Sequence, residues 1–213
     1  MLRVLLMFFT TGAKSAASVP KEELERLQQA HIANLERLYK EGTTPLAGPC
    51  ADPGKRRRGI VLLNTDRAGD IPALFRPDPY VSGGFMGTEA HRVEPLALEV
   101  GREPAKSIVE LSIAIIEERR TAPVLGDGWG MGPQDLEPDL PPLLRLPWAE
   151  RPRVLLRRAD RRAPLFAMGL FPTTDHDAVR RLLEQDEMLR RDGGRRWDVQ
   201  VWRQWVAKDA LRA

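Results

Sequence analysis

The chain has 213 residues, 42% hydrophobic and 30% charged, and a formal net charge of only +3. Acidic and basic residues are interleaved, which excludes a basic tail for nucleic acid, and the single cysteine, Cys50, excludes an internal disulfide framework. No run approaches the roughly 18 apolar residues needed to span a membrane.

The N-terminus imitates a secretion signal: Arg3, then VLLMFF, then AKSAAS. Its apolar core is shorter than the usual h-region of about 7–15 residues. Leu2–Phe9 reads instead as a buried first strand, and the protein as cytoplasmic. Pro20–Lys40 carries Leu24, Leu27, Leu35 and Leu38 at helical spacing. These fall within an arc of roughly 80°, and His31 lies inside it. Pro20 suits the helix start, Glu22 and Glu23 suit its positive end, and Gly42 suits its stop. PLAGPC, Pro45–Cys50, is a short strand that Pro49 restricts to an edge or an end. The basic run Lys55–Arg58 reads as a solvated loop before the strand Arg58–Asn64. A short helix begins at Asp70–Phe75 and ends near Pro77–Tyr80. Ile71, Leu74 and Phe75 are followed at the next helical step by Asp78. Gly83-Gly84 turns the chain into a strand around Met86–Val93. The order is β-α-β-β-α-β, the split βαβ pattern.

The chain then repeats itself. Aligning Asp78 with Asp186 gives an offset of 186 − 78 = 108 residues and lays Gly59–Asp78 over Ala167–Asp186 without gaps. Ile71, Leu74, Phe75 and Asp78 become Val179, Leu182, Leu183 and Asp186. The same offset lays Leu2–Phe9 over ELSIAIIE, Glu110–Glu117. Residues 128–149 occupy the place of the His31 helix but hold Pro133, Pro138, Pro141, Pro142 and Pro147. Each interior proline costs a helix about 3 kcal/mol, so no continuous helix is expected there. Asp139 takes the position of His31.

The expected architecture is therefore α+β: two ferredoxin-like units, residues 1–98 and 105–213, the second lacking its first helix and carrying a Pro-rich insertion at about 120–150. Together they would form a dimeric α/β-barrel-like pair within one chain, with outer faces left for further self-association. The same element order raises the RNA-recognition fold, but Arg58–Leu63 has none of the base-stacking aromatics that fold needs.

His31 and Asp78 are the candidate catalytic pair. A carboxylate beside an imidazole fixes its tautomer and can leave a base poised for proton transfer. The bland alternative is a structural His–Asp bond between helices. Cys50 and Trp129 are candidate ligand-binding residues: Cys50 ends a strand, and Trp129 anchors the Gly-rich stretch GDGWGMGP, a candidate lid. His91 and His176 lack neighbours at metal-ligand spacing, so no metal site and no cofactor are expected. Trp197, Trp202 and Trp205 read as core or interface residues.

The first half resembles the YCII-related family of small dimeric α/β-barrel domains. The resemblance rests on EEL…AHIANLERL, PLAGPCAD, RGIVLLNTD and RPDPY, and covers most of Leu2–Leu96. The second half is similar only to that family's C-terminal part, through LFAMGLF, DHDAVRRLLEQDEM and the strand near Trp197–Trp202. The resemblance implies a ferredoxin-like fold that pairs into a barrel and a catalytic histidine and DP aspartate, here His31 and Asp78. It implies a lyase or isomerase acting on a small aromatic or lactone-like molecule; one branch of the family eliminates chloride from a chlorinated hydroxyquinone. Asp186-Glu187 lacks the proline, and its unit lacks the histidine. A non-catalytic ligand-binding or scaffold protein of the same fold is the competing expectation.

Overall fold

The computed structural model describes residues 4–100, 108–119, 138, 140–160, 163–190 and 196–207. Eight strands form one antiparallel sheet: β1 Val4–Thr11, β2 Leu46–Pro49, β3 Arg57–Leu63, β4 Met86–Leu98, β5 Ile108–Glu118, β6 Val154–Arg158, β7 Leu165–Phe171 and β8 Trp197–Ala207. Their order is β2-β3-β1-β4-β6-β7-β5-β8. Within each half the order is the same, and β3 and β7 begin and end at equivalent positions under the repeat offset. The halves join edge to edge twice. β4 pairs with β6 from Val93–Arg158 to Leu98–Val154. At the other seam Cys50 and Gln204 form a single antiparallel bridge, and Ala51 N–H donates to Arg203 C=O at 3.0 Å. The sheet is thus curled into a nearly closed barrel.

Strand periodicity divides the apolar residues between two surfaces. Leu6, Phe8, Ile60, Leu62, Ile113, Ile115, Leu156, Met168 and Trp202 belong to one cluster drawn from both halves, the barrel interior. Their sequence neighbours Leu5, Met7, Phe9, Val61 and Leu63 face outward and pack against Leu38, Ile71 and Phe75. The second half has its own outer layer, in which Ala114, Phe166, Phe171 and Val201 meet Val179 and Leu183.

The helix α1 spans Lys21–Lys40, with Pro20 as its N-cap and Glu22 and Glu23 in its first turn. Gly42, at φ 72°, takes the left-handed position just past the C-cap Glu41. Of α1, His31, Asn34 and Leu38 are buried. The expected helix before Asp78 is two pieces. α2 covers Ile71–Leu74, and α3 covers Pro79–Ser82, with Asp78 as its N-cap. Pro77 and Pro79 bracket Asp78 and cannot both sit inside one helix, so the carboxylate starts a helix rather than ending one. In the second half, α4 spans His176–Leu183 and α5 spans Glu187–Arg190. Pro141–Arg145 is a short 3-10 turn, and Leu143 and Leu144 pack on the outer layer. Trp129 and Asp139 lie outside the described residues.

The basic run is solvated at Lys55, Arg56 and Arg58 but not at Arg57. Arg57 opens β3 and is 1% exposed, its guanidinium 4.0 Å above the Phe8 ring. Its Nη2 donates to Glu89 at 2.9 Å and to Glu117 at 2.7 Å. Sequence context could not show this, because the neutralising carboxylates lie on β4 and β5.

Candidate functional site

α1 brings His31 against β1, and the turn after α2 brings Asp78 to it. Nδ1 of His31 lies 2.7 Å from Oδ2 of Asp78. Asp78 is fully buried, and its other oxygen, Oδ1, accepts from the N–H groups of Tyr80 at 3.0 Å and Val81 at 3.4 Å. Those two bonds are an N-cap, and they hold the carboxylate in one orientation before the histidine is considered. With Asp78 ionised, Nδ1 carries the proton it donates, and Nε2 keeps the free lone pair. In that tautomer Nε2 is the ring nitrogen able to accept a proton.

Aromatic edges surround the imidazole. Phe9 meets it at 5.1 Å between centroids and Tyr80 at 5.5 Å, both edge to face. Phe75 packs on Phe9, and Phe85 on Tyr80. The His31 side chain is 11% exposed. A cleft of about 420 Å³ runs along the first turns of α1, lined by Lys21, Leu24, Glu25, Gln28, Gln29 and Tyr80. Leu24 and the Tyr80 ring supply its apolar surface, and the Tyr80 hydroxyl donates to Gln28 Oε1 at 3.3 Å. Tyr80 and Gln28 were not singled out from the sequence. The available signal was Tyr80 next to the DP dipeptide, and Gln28 one turn before His31.

The structure brings His31 and Asp78 together and leaves Cys50 elsewhere. Cys50 packs on the barrel interior, whereas His31 lies on Phe9 in the outer layer. Cys50 therefore sits on the opposite face of the sheet, at the β2–β8 seam. Burial pushes its thiol up to about 11. The other histidines are engaged separately. His91 Nε2 lies 2.8 Å from Glu89 and His176 Nδ1 lies 2.7 Å from the Ser112 hydroxyl. The His91 hydrogen bond, with Arg57 nearby, holds Glu89 down at about 2 against the cost of its burial. Among the described residues no group of three or more His, Cys, Asp or Glu side chains could hold a metal ion. No helix among them is long and apolar enough to cross a membrane.

No family model matches this chain. No curated protein matches it either. A solved structure does: the crystal structure of a "putative monooxygenase" from Lactobacillus acidophilus NCFM, with a TM-score of 0.50 at 7% identity, covering 100% of this chain and 99% of that one. At that identity the likeness is one of fold. The chain is thus a barrel-like α+β protein of the same overall shape as that bacterial protein.

Proposed function

We propose that this protein is a small-molecule lyase or isomerase in which His31 moves a proton and Asp78 orients and charge-balances it. The observation that carries the reading is the 2.7 Å Nδ1–Oδ2 contact, made by a carboxylate already fixed as the α3 cap. Nε2 is then the base toward a carbon acid, and the resulting imidazolium is the acid for the departing or rearranged group. Asp78 stabilises that imidazolium without taking its proton. The aromatic surroundings favour a flat, unsaturated substrate, an aromatic or lactone-like molecule, over a highly charged one.

The same proposal reads the two halves as a tandem pair of ferredoxin-like units of the YCII-related type, with one working site in the first. The shared strand order and the matching bounds of β3 and β7 support it. The chain would then be a pseudo-dimer that needs no second copy to complete its barrel. A purely structural His–Asp tie is the second reading, favoured by the low exposure of the imidazole.

The experiment is a turnover screen with muconolactone-type lactones and chlorinated hydroxyquinones, run on wild type, His31→Ala and Asp78→Asn. Turnover by wild type and loss in both variants, with all three folded, supports the enzyme. Equal turnover in His31→Ala assigns the pair to structure.

A further inference from the structure

We infer that Tyr80 is the gate between the α1 cleft and His31. The inference deepens the reading of His31 and Asp78 as the working pair, but its test needs no turnover and stands or falls without it. Three observations meet at this side chain. Tyr80 lines the cleft, and His31 does not. Its ring also stands edge to face on the imidazole. The imidazole's hydrogen bond goes to Asp78, which holds Nδ1, and its other described ring contact is Phe9 on β1, a strand inside the sheet. Among the described residues, Tyr80 is thus the side chain that both lines the cleft and touches the imidazole.

The closure is built to open. Tyr80 is held on the cleft side by one long hydrogen bond, 3.3 Å, to Gln28, an exposed side chain. Its backbone belongs to α3, a single helical turn pinned at its start by Asp78 and followed by Gly83 and Gly84. Gly84 is at φ 79°, a conformation that favours glycine. Rotation of the side chain alone moves the ring off His31 and leaves the Asp78 cap intact, because that cap uses the backbone N–H groups of Tyr80 and Val81 and not the Tyr80 ring. The ring then gives up its contacts with Phe85 and the imidazole. A planar unsaturated ligand replaces the ring-edge contacts that Tyr80 gives up, and a saturated or bulky one does not. Tyr80 thus sets which molecules reach the base, while the bond to Gln28 keeps water away from it between turnovers.

The test is carbethoxylation of the full-length protein by diethyl pyrocarbonate, which attacks neutral imidazole nitrogen. The chain has three histidines, so peptide mass spectrometry follows His31, with His91 and His176 as internal controls. Tyr80→Ala should raise the rate at His31 by about tenfold, the change expected when a local opening step is removed, with His91 and His176 unchanged. Gln28→Leu, which keeps the ring and removes the latch, should raise it by a smaller factor. A His31 rate within about twofold of wild type in both variants overturns the gate. So does a parallel rise at all three histidines in both variants, since that reports loosening of the whole fold.

Discussion

The two halves of the barrel differ least in their strands and most in what covers them. Asp78 caps α3 through Tyr80 and Val81 N–H, and Asp186 caps α5 through Leu189 N–H at 3.1 Å. Both aspartates therefore have the same structural task. Among the described residues, Asp78 is paired with a histidine carried by α1, a 20-residue helix along the outer face of the first half. In the second half, Leu140, Leu143 and Leu144 cover part of that face. The lesson is that an aspartate at a helix start needs no catalytic explanation. What marks the first half is the imidazole added to the Asp78 cap.

The sharpest way to break this comparison is to remove each partner in turn. His31→Ala and Asp78→Asn should each lower turnover by about 10²–10⁴, the usual worth of a positioned acid/base group. Asp186→Asn should leave turnover unchanged, since asparagine still caps. Stability should separate the roles as well. Asp78→Ala loses the cap and the buried bond to His31, and should cost about 2–4 kcal/mol in denaturant unfolding. Asp186→Ala loses the cap and should cost about 1 kcal/mol. Inactive Asp186→Asn with active His31→Ala would reverse the assignment.

The halves also meet at two unequal seams, and the weaker one gives the next largest effect. The β4–β6 seam is a five-pair ladder, whereas at the other seam Cys50, just past β2, makes a single bridge to Gln204 of β8. There Gly48 lies so close that an added Cβ would sit 1.8 Å from the Trp205 carbonyl oxygen. Backbone cannot yield as a flexible side chain does, so Gly48→Ala should open the seam and cost about 3 kcal/mol or more. Gly42→Ala, with open space around it but φ at 72°, should cost about 1 kcal/mol. Equal melting temperatures for the two variants would show that the seam contributes nothing to holding the barrel closed.

The sequence made much of this visible where the signal is local. The stripe around His31 predicted an inward imidazole, and the offset between Asp78 and Asp186 aligned β3 with β7 before any sheet was known. Periodicity did not reveal that Asp78 begins a helix, because Ile71, Leu74 and Phe75 carry the helical spacing right up to it. The decisive residues there are the flanking prolines. Arg57 was illegible for a different reason. A buried guanidinium looks like its exposed neighbours Arg56 and Arg58 until the chain folds and Glu89 and Glu117 arrive from distant strands. Sequence order likewise could not show that Cys50 and His31 lie on opposite faces of one sheet.

The interior ion cluster distinguishes the barrel lumen from the outer site through pH. Glu89 has a folded-state value of about 2 against an ordinary 4.5, so folding favours its ionised form. The stability this supplies is present above about 4.5 and is lost as pH falls toward about 2. Thermal melts of wild type and Glu89→Gln should therefore differ by a constant amount above pH 5 and converge through that acid window. A difference that stays constant down to pH 2 would mean that Glu89 is not held by His91 and Arg57.

The smallest expected effect concerns Cys50, and it bears on which face of the sheet meets ligand. A thiol in the His31 site would sit beside an imidazole, a setting that promotes thiolate. Cys50 instead lies against the barrel interior, and its Sγ donates to the Arg57 carbonyl at 3.5 Å. Raised to about 11, it is almost wholly protonated at neutral pH. The thiolate is the reactive form, so iodoacetamide should label native Cys50 slower than the same residue in urea by about a hundredfold or more. Cys50→Ser should leave both turnover and the His31 carbethoxylation rate near wild type. Rapid labelling of the native protein that a bound substrate then blocks would move Cys50 into the site and place ligand inside the barrel rather than under α1.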